Sequence, residues 1–237
     1  MRLLRGNLDP AFLENLGALD QYYLDGVPIR FVTEHKDLGV IVDNSLKFHQ
    51  HIASTTRKAA GVANNILKFT LCRSPEFMCF ILVTYIRPIV EFGSTVWNTG
   101  YHSDLRLLER VQRAWTKQIA GHELLSYRDR LLSLNLYSIK GRLLRADLIL
   151  MWKIFHHAST IQPVDLFSLE VRPGNRGHLF KIRPDHIQTE QRRRFICNRC
   201  INVWNGLPAD VVSSPSVAVF KRKLHEALGE LLFEYID

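Results

Sequence analysis

At Lys47 the hydrophobic pattern of this chain changes from the alternation of strands to the three-to-four spacing of helices, and that switch fixes the order of its architecture. Before it, "QYYLDGVPIRFV" alternates around a turn at Asp25 and Gly26, and "KDLGVIVDNSL" is a short β-branched run closed by Asp43 and Asn44. Both read as hairpin strands, the last ones of a larger sheet. After it, "SLKFHQHIASTTRKAAGVANNILKF" sets Phe48, Ile52, Ala59, Val62 and Ile66 on one side of a helix, with Ser45 as the expected cap. A second helix is expected from about Pro75 to Ile89. Its residues, "PEFMCFILVTYIRPI", are apolar almost all round and predict a place at the centre of a bundle.

The third helix, about Ser103 to Ala120, carries Leu107, Leu108, Val111, Ala114, Trp115 and Ile119 on one face. Arg106, Arg110, Arg113 and Lys117 recur at three-to-four spacing and form a basic stripe. Helices are expected at about Ser126 to Leu134 and at about Ser138 to His156. Pro163, Pro173, Gly174, Gly177 and Pro184 then mark an extended linker. "RRRFICNRCINVWNGLP" predicts a helix ending near Gly206, and Ser214 and Pro215 start a last amphipathic helix. The expected fold is mainly α, a helical bundle preceded by a small β-hairpin remnant. Its parts are the hairpin (1–44), a bundle of about five helices (45–158), the linker (159–190) and a C-terminal helical segment (191–237).

The chain has 237 residues, a formal charge of +8 and a pI near 9.5, a balance that favours acidic partners, nucleic acid before an anionic membrane surface. No run of about 18 apolar residues occurs. The start, "MRLLRGNLDPAFLENLG", lacks the apolar core and cleavage site of a signal peptide. An intracellular protein without a membrane partner is expected, with cytoplasm and nucleus both open. Four cysteines are too few for a disulfide scaffold in a chain this long.

Arg dominates the basic stripe, and "QRRRF" adds Arg192, Arg193 and Arg194 after the linker. Arg engages phosphate with two parallel bonds, so these residues predict sequence-tolerant, salt-sensitive binding. A solvated helix face is the alternative. Tyr101, Trp115, Trp152 and Trp204 are read as core rings, with stacking on bases the alternative, whereas Trp97 sits beside Asn98, Thr99 and Gly100 in a loop, either presented to a ligand or plugging the loop onto the bundle. Cys197 and Cys200 have metal-ligand spacing, but no second close Cys or His pair accompanies them, and no metal site is expected. His49 to His51 read as surface or helix-end residues. Phosphate-loop, dinucleotide and Gly-x-Ser-x-Gly motifs are absent from the sequence, and no catalytic residue is assigned.

The blocks "DLGVIVDNSLKFHQHI", "YIRPIVEFGSTVWN", "LERVQRAWTKQIAG", "SYRDRLLSLNLYSIKGRLLRADLILMWKIF" and "INVWNGLPADVVSSPSVAVFKRKL" occur in this order. Together they resemble the region downstream of the catalytic palm in LINE-type, jockey-like non-LTR retrotransposon reverse transcriptases. The resemblance spans roughly Asp37 to Leu224. It implies that Leu38 and Gly39 correspond to the primer-grip hairpin at the base of the palm, and that the following helices form a thumb closing over primer and template. On that reading Arg87, Trp97, Arg106, Arg110, Gln112, Arg113 and Lys117 are the candidates for backbone contacts with RNA and DNA. Asp37 stands where the family often has Tyr, which removes an aromatic contact from the grip.

The family's polymerase chemistry needs paired carboxylates holding two Mg²⁺ ions in an aromatic-x-Asp-Asp turn upstream of the hairpin. No Asp-Asp pair occurs in the sequence. The resemblance thus implies a C-terminal polymerase fragment that binds nucleic acid and does not polymerise by itself, with Mg²⁺ and no other cofactor belonging to the complete enzyme. An inert pseudogene product, or an adaptor using the helix Val217 to Tyr235, is the alternative.

Overall fold

The computed structural model describes residues 22–30, 32–169, 178–184 and 186–237. The N-terminal stretch through Gln21, and Pro173, Gly174 and Gly177 of the expected linker, lie outside the described residues. The fold is mainly helical, with small antiparallel hairpins leading into a bundle.

In the first hairpin, β1 (Tyr23–Leu24) pairs with β2 (Val27–Pro28) across Asp25 and Gly26, whose φ values are 51° and 78°. In the second, β3 (Glu34–Asp37) pairs with β4 (Val40–Asp43) in the register Asp37 to Val40, across Leu38 and Gly39 at φ 45° and 91°. Both central residues of each turn are left-handed, the geometry that matches the twist of a two-residue hairpin. Asp and Gly suit it; Leu38 does not, and its side chain is 89% exposed. Leu38→Asn is therefore expected to raise stability by about 1 kcal/mol, because Asn adopts this conformation more readily. A thermal midpoint that falls in the variant would show that Leu38 has a packing role.

Only β4 enters the core, through Val40. Asp43 at its end turns the chain into the bundle: its carboxylate accepts the backbone N–H groups of Ser45 (2.9 Å) and Phe48 (2.7 Å). These bonds displace Ser45 from the capping position. Phe48 takes a left-handed conformation instead, at φ 59°, and α1 (His49–Phe69) begins after it.

Ser74 caps α2 (Pro75–Ile81), with Pro75 in the first turn as its fixed φ favours. The helix then widens into a π-helical turn, Leu82–Ile86, before α3 (Arg87–Glu91). Pro88 accounts for this: it has no N–H to donate to Thr84, and its ring crowds that carbonyl in a regular helix. Arg87 donates one residue further back, to the Leu82 carbonyl. Met78, Ile81, Leu82, Ile86 and Val90 are buried, while Phe80, Val83 and Tyr85 face solvent. The segment is a two-faced wall of the bundle rather than its apolar centre.

α4 (Ser94–Trp97) and α5 (His102–Thr116) follow. Ser126 caps α6 (Tyr127–Ser133), and Ser138 caps α7 (Ile139–Phe155). A first apolar cluster joins Val40, Ile52, Met78, Trp97, Leu108 and Trp115 to the start of α7; a second gathers Met151, Trp152, Phe155, Trp204 and Phe220 around its end. The expected linker contributes α8 (Pro163–Leu166), a bridge between Leu169 and Ile182, and the buried side chains Phe167 and Ile182.

The helix expected through Gly206 is broken at Phe195, which is extended, and again at Cys200, giving α9 (Glu190–Arg194), α10 (Ile196–Arg199) and α11 (Ile201–Gly206). The first break lets α9 stay at the surface while α10 buries Ile196 and Cys197. α12 (Ala209–Val212) precedes α13 (Val217–Leu228), which Ser216 caps, and a 3₁₀ turn (Gly229–Leu232) returns to α7. There the Ser138 hydroxyl donates to the Glu234 and Leu232 carbonyls. Among the described residues no helix is long and apolar enough to cross a membrane.

Candidate nucleic-acid interface

Helices α1 and α5 lie side by side, and the small side chains of Ala53, Ala60, Ala63 and Ala114 leave a groove of about 460 Å³ between them. Arg57 of α1 and Arg110 of α5 line this groove. Arg106 stands one turn before Arg110 and Lys117 two turns after it. All four cations are exposed, and none has an ion pair or side-chain hydrogen bond among the described residues. From Arg106 to Lys117 the stripe rises about 16 Å, close to five nucleotides of one strand at roughly 3.4 Å each.

The other candidates are placed differently. Arg113 belongs to the same sequence stripe, but its guanidinium pairs with Asp237 at 2.8 Å and lies against the Tyr127 and Tyr235 rings. Arg87 is half-buried and donates to Glu91 at 3.1 Å, a carboxylate that Arg142 also grips. Burial raises the Glu91 carboxyl above its usual range, against the pull of Arg87. Gln112 is 2% exposed and donates to the Tyr127 hydroxyl and the Tyr137 carbonyl. Trp97 is 1% exposed, with its indole N–H on the Phe92 carbonyl at 2.6 Å. Gln112 and Trp97 are thus packing residues, and Trp97 is the last residue of α4 rather than part of the expected loop, anchoring that turn in the bundle.

Arg194 is also committed internally. Its guanidinium stacks 3.8 Å over Tyr101, donates to Glu190 at 2.6 Å and reaches the Thr99 carbonyl. Arg193 is exposed and paired with Glu190 at 3.3 Å; Arg192 is exposed and lines a cleft with Ser45 and Thr189. Leu38 and Gly39 form the exposed tip of the β3–β4 hairpin.

Several polar side chains that carry the architecture went unassigned in the sequence. Asp147 is 1% exposed and receives two bonds from Arg199, at 2.7 and 2.9 Å, and one from Asn98 at 3.1 Å. Burial raises its carboxyl above the ordinary value, while the Arg199 charge and these bonds pull it back. Glu109, also buried, accepts the Tyr127 hydroxyl and the Ile139 N–H, capping α7 from another helix. Of the histidines expected at the surface or a helix end, His49 opens α1 with its Nδ1 2.7 Å from Asp104 on α5, whereas His51 is buried. Cys197 and Cys200 are buried, and Cys200 sits against Asp147, where burial holds its thiol well above the usual range. No cluster of His, Cys, Asp or Glu suited to a metal occurs among the described residues.

No family model, curated protein or solved structure matches the chain.

Proposed function

We propose that this chain is the primer–template-binding, thumb-like part of a LINE-type reverse transcriptase, and that it holds RNA–DNA duplex through phosphate contacts made by the α1–α5 face. The observation that carries this reading is the set of exposed cations without ion pairs among the described residues: Arg57 and Arg110 line the groove, and Arg106 and Lys117 continue the α5 stripe at helical spacing. Unpaired guanidinium groups bind phosphate without first breaking an internal ion pair. The alanine floor lets a sugar–phosphate backbone approach closely. The ordered sequence blocks supply the family. In this reading the chain grips rather than polymerises, and Mg²⁺ chemistry belongs to the carboxylates of a complete enzyme.

The test is a fluorescence titration with an RNA–DNA hybrid at several salt concentrations, for the chain and for R106E/R110E. Arg106 and Arg110 are chosen because both are exposed and unpaired, so reversal leaves the packing intact. The expected result is a loss of at least tenfold in affinity at low salt and a log–log salt slope shallower by about 1.8, two contacts at roughly 0.9 each. An unchanged affinity and slope in the folded variant would remove the α5 face from the reading. Absence of any binding by the folded parent chain would favour an inert product.

A further inference from the structure

The wall formed by α2, the π-helical turn and α3 buries Met78, Leu82, Ile86 and Val90, one residue in every four, against the bundle. Its opposite side carries Phe80, Thr84 and Pro88 at the same spacing, continued by Phe92 and flanked by Val83 and Tyr85. All six are exposed, with Phe80 at 58%, Tyr85 at 52% and Phe92 at 60%. No other residue from Phe77 to Phe92 is exposed, so this face carries no charge along its length. Arg87 and Glu91, the charged residues of the segment, are half-buried and paired with each other at 3.1 Å. In a chain that is 23% charged, six successive exposed positions without a charge are an interaction surface rather than a solvated helix face.

Charge and area fit this face to a second copy of the chain. A net charge of +8 makes copies repel, and the repulsion opposes contact least where neither copy presents a cation. The two ends of the face carry opposite signs. Glu76 is exposed one turn before Phe80, while Lys58 of α1 is exposed at the other end, lining a cleft with Pro88 and Phe92. Neither makes an ion pair among the described residues. Turning one wall against another about a twofold axis at Thr84 sets Phe80 over the partner's Pro88 and brings Glu76 to the partner's Lys58. A large side chain presents about 150–250 Å², so at these exposures the face offers about 500 Å² and a pair of copies buries about 1,000 Å². That area is the lower bound of a specific interface, and the composition, aromatic at the centre and charged only at the ends, is that of one.

We infer that the chain forms a weak, twofold-symmetric dimer through this face, with the two α2–α3 walls antiparallel. The small Thr84 side chain at the axis lets the walls approach, and the aromatic rings on either side of it supply the buried apolar area. The face shares no residue with the α1–α5 groove, so each copy keeps its own groove open, and the pairing does not rest on duplex binding.

The experiment is sedimentation equilibrium of the full chain, freed of nucleic acid, over about a hundredfold range of concentration in the micromolar region where an interface of this size dissociates. The mass is expected to rise from 27.4 kDa to twice that value. T84E sets two carboxylates against each other at the axis, and F80D removes an aromatic anchor; each should weaken the dimer at least about tenfold. Both positions are exposed, and thermal midpoints report the folding of the variants. E76K should weaken pairing by about threefold and E76K/K58E restore it, which reads the antiparallel arrangement. R106E/R110E should keep the dimer while losing duplex affinity, so this inference and the duplex reading fail independently. A monomer at every concentration overturns the proposal and leaves the face to a different chain. A dimer that folded T84E and F80D leave unchanged overturns it as well, since the contact then lies elsewhere.

Discussion

Asp147→Ala is expected to lower the unfolding free energy by about 3–5 kcal/mol, measured by urea denaturation. The cause is the partner left behind more than the bond removed. Arg199 has a side chain 12% exposed, held by two bonds to Asp147, and it also donates to the Thr95 and Arg194 carbonyls, neither of which carries a charge. Without the carboxylate, a nearly buried guanidinium has no countercharge, and Asn98 loses its acceptor. The effect spreads because these residues tie α7, α10 and the loop after α4 together. Replacing both members, as in D147L/R199M, should recover most of the loss, since a matched apolar pair has no buried charge to compensate. A loss under about 1 kcal/mol in Asp147→Ala would mean that Arg199 relaxes into water, and the network would then be incidental.

What the sequence discloses and what it hides follow from the range of the interactions. Ser74, Ser126 and Ser138 cap helices through amides three residues away, and the Asp25–Gly26 and Leu38–Gly39 turns are equally local. Such features are written in adjacent residues. The Asp147–Arg199 pair spans 52 positions and the Glu109 cap of α7 spans 30, so neither leaves a periodic trace. The basic stripe shows the same division within one helix. Arg106, Arg110 and Arg113 are indistinguishable by spacing, yet only the fold brings Asp237, 124 residues on, to the third of them. Capping at α1 failed as a local reading because Asp43, four residues before Lys47, takes the Lys47 and Phe48 amides that Ser45 was expected to serve. The π turn was legible in principle from Pro88 inside an apolar helix, since a proline there must break or widen the ladder.

Gly141→Ala is expected to destabilise the protein by about 3 kcal/mol, although helix propensity alone argues for the opposite sign. Gly141 lies in the first turn of α7, where an added methyl group would stand 2.4 Å from the Leu232 carbonyl oxygen and 2.7 Å from two further backbone atoms. No side chain can rotate aside, because every atom in the way is main chain. The 3₁₀ turn would have to retreat, and with it the bonds from Ser138 to the Leu232 and Glu234 carbonyls. Phe233 and Tyr235, packed on the first cluster, and the Arg113–Asp237 pair depend on that return. Gly61 provides the contrast: it sits inside α1 with open space where a methyl would go, so Gly61→Ala should stabilise by about 1 kcal/mol. Thermal midpoints that move in opposite directions would establish that the C-terminal return is seated directly on α7. If both variants gained stability, propensity would govern both sites and the close approach at Gly141 would carry no weight.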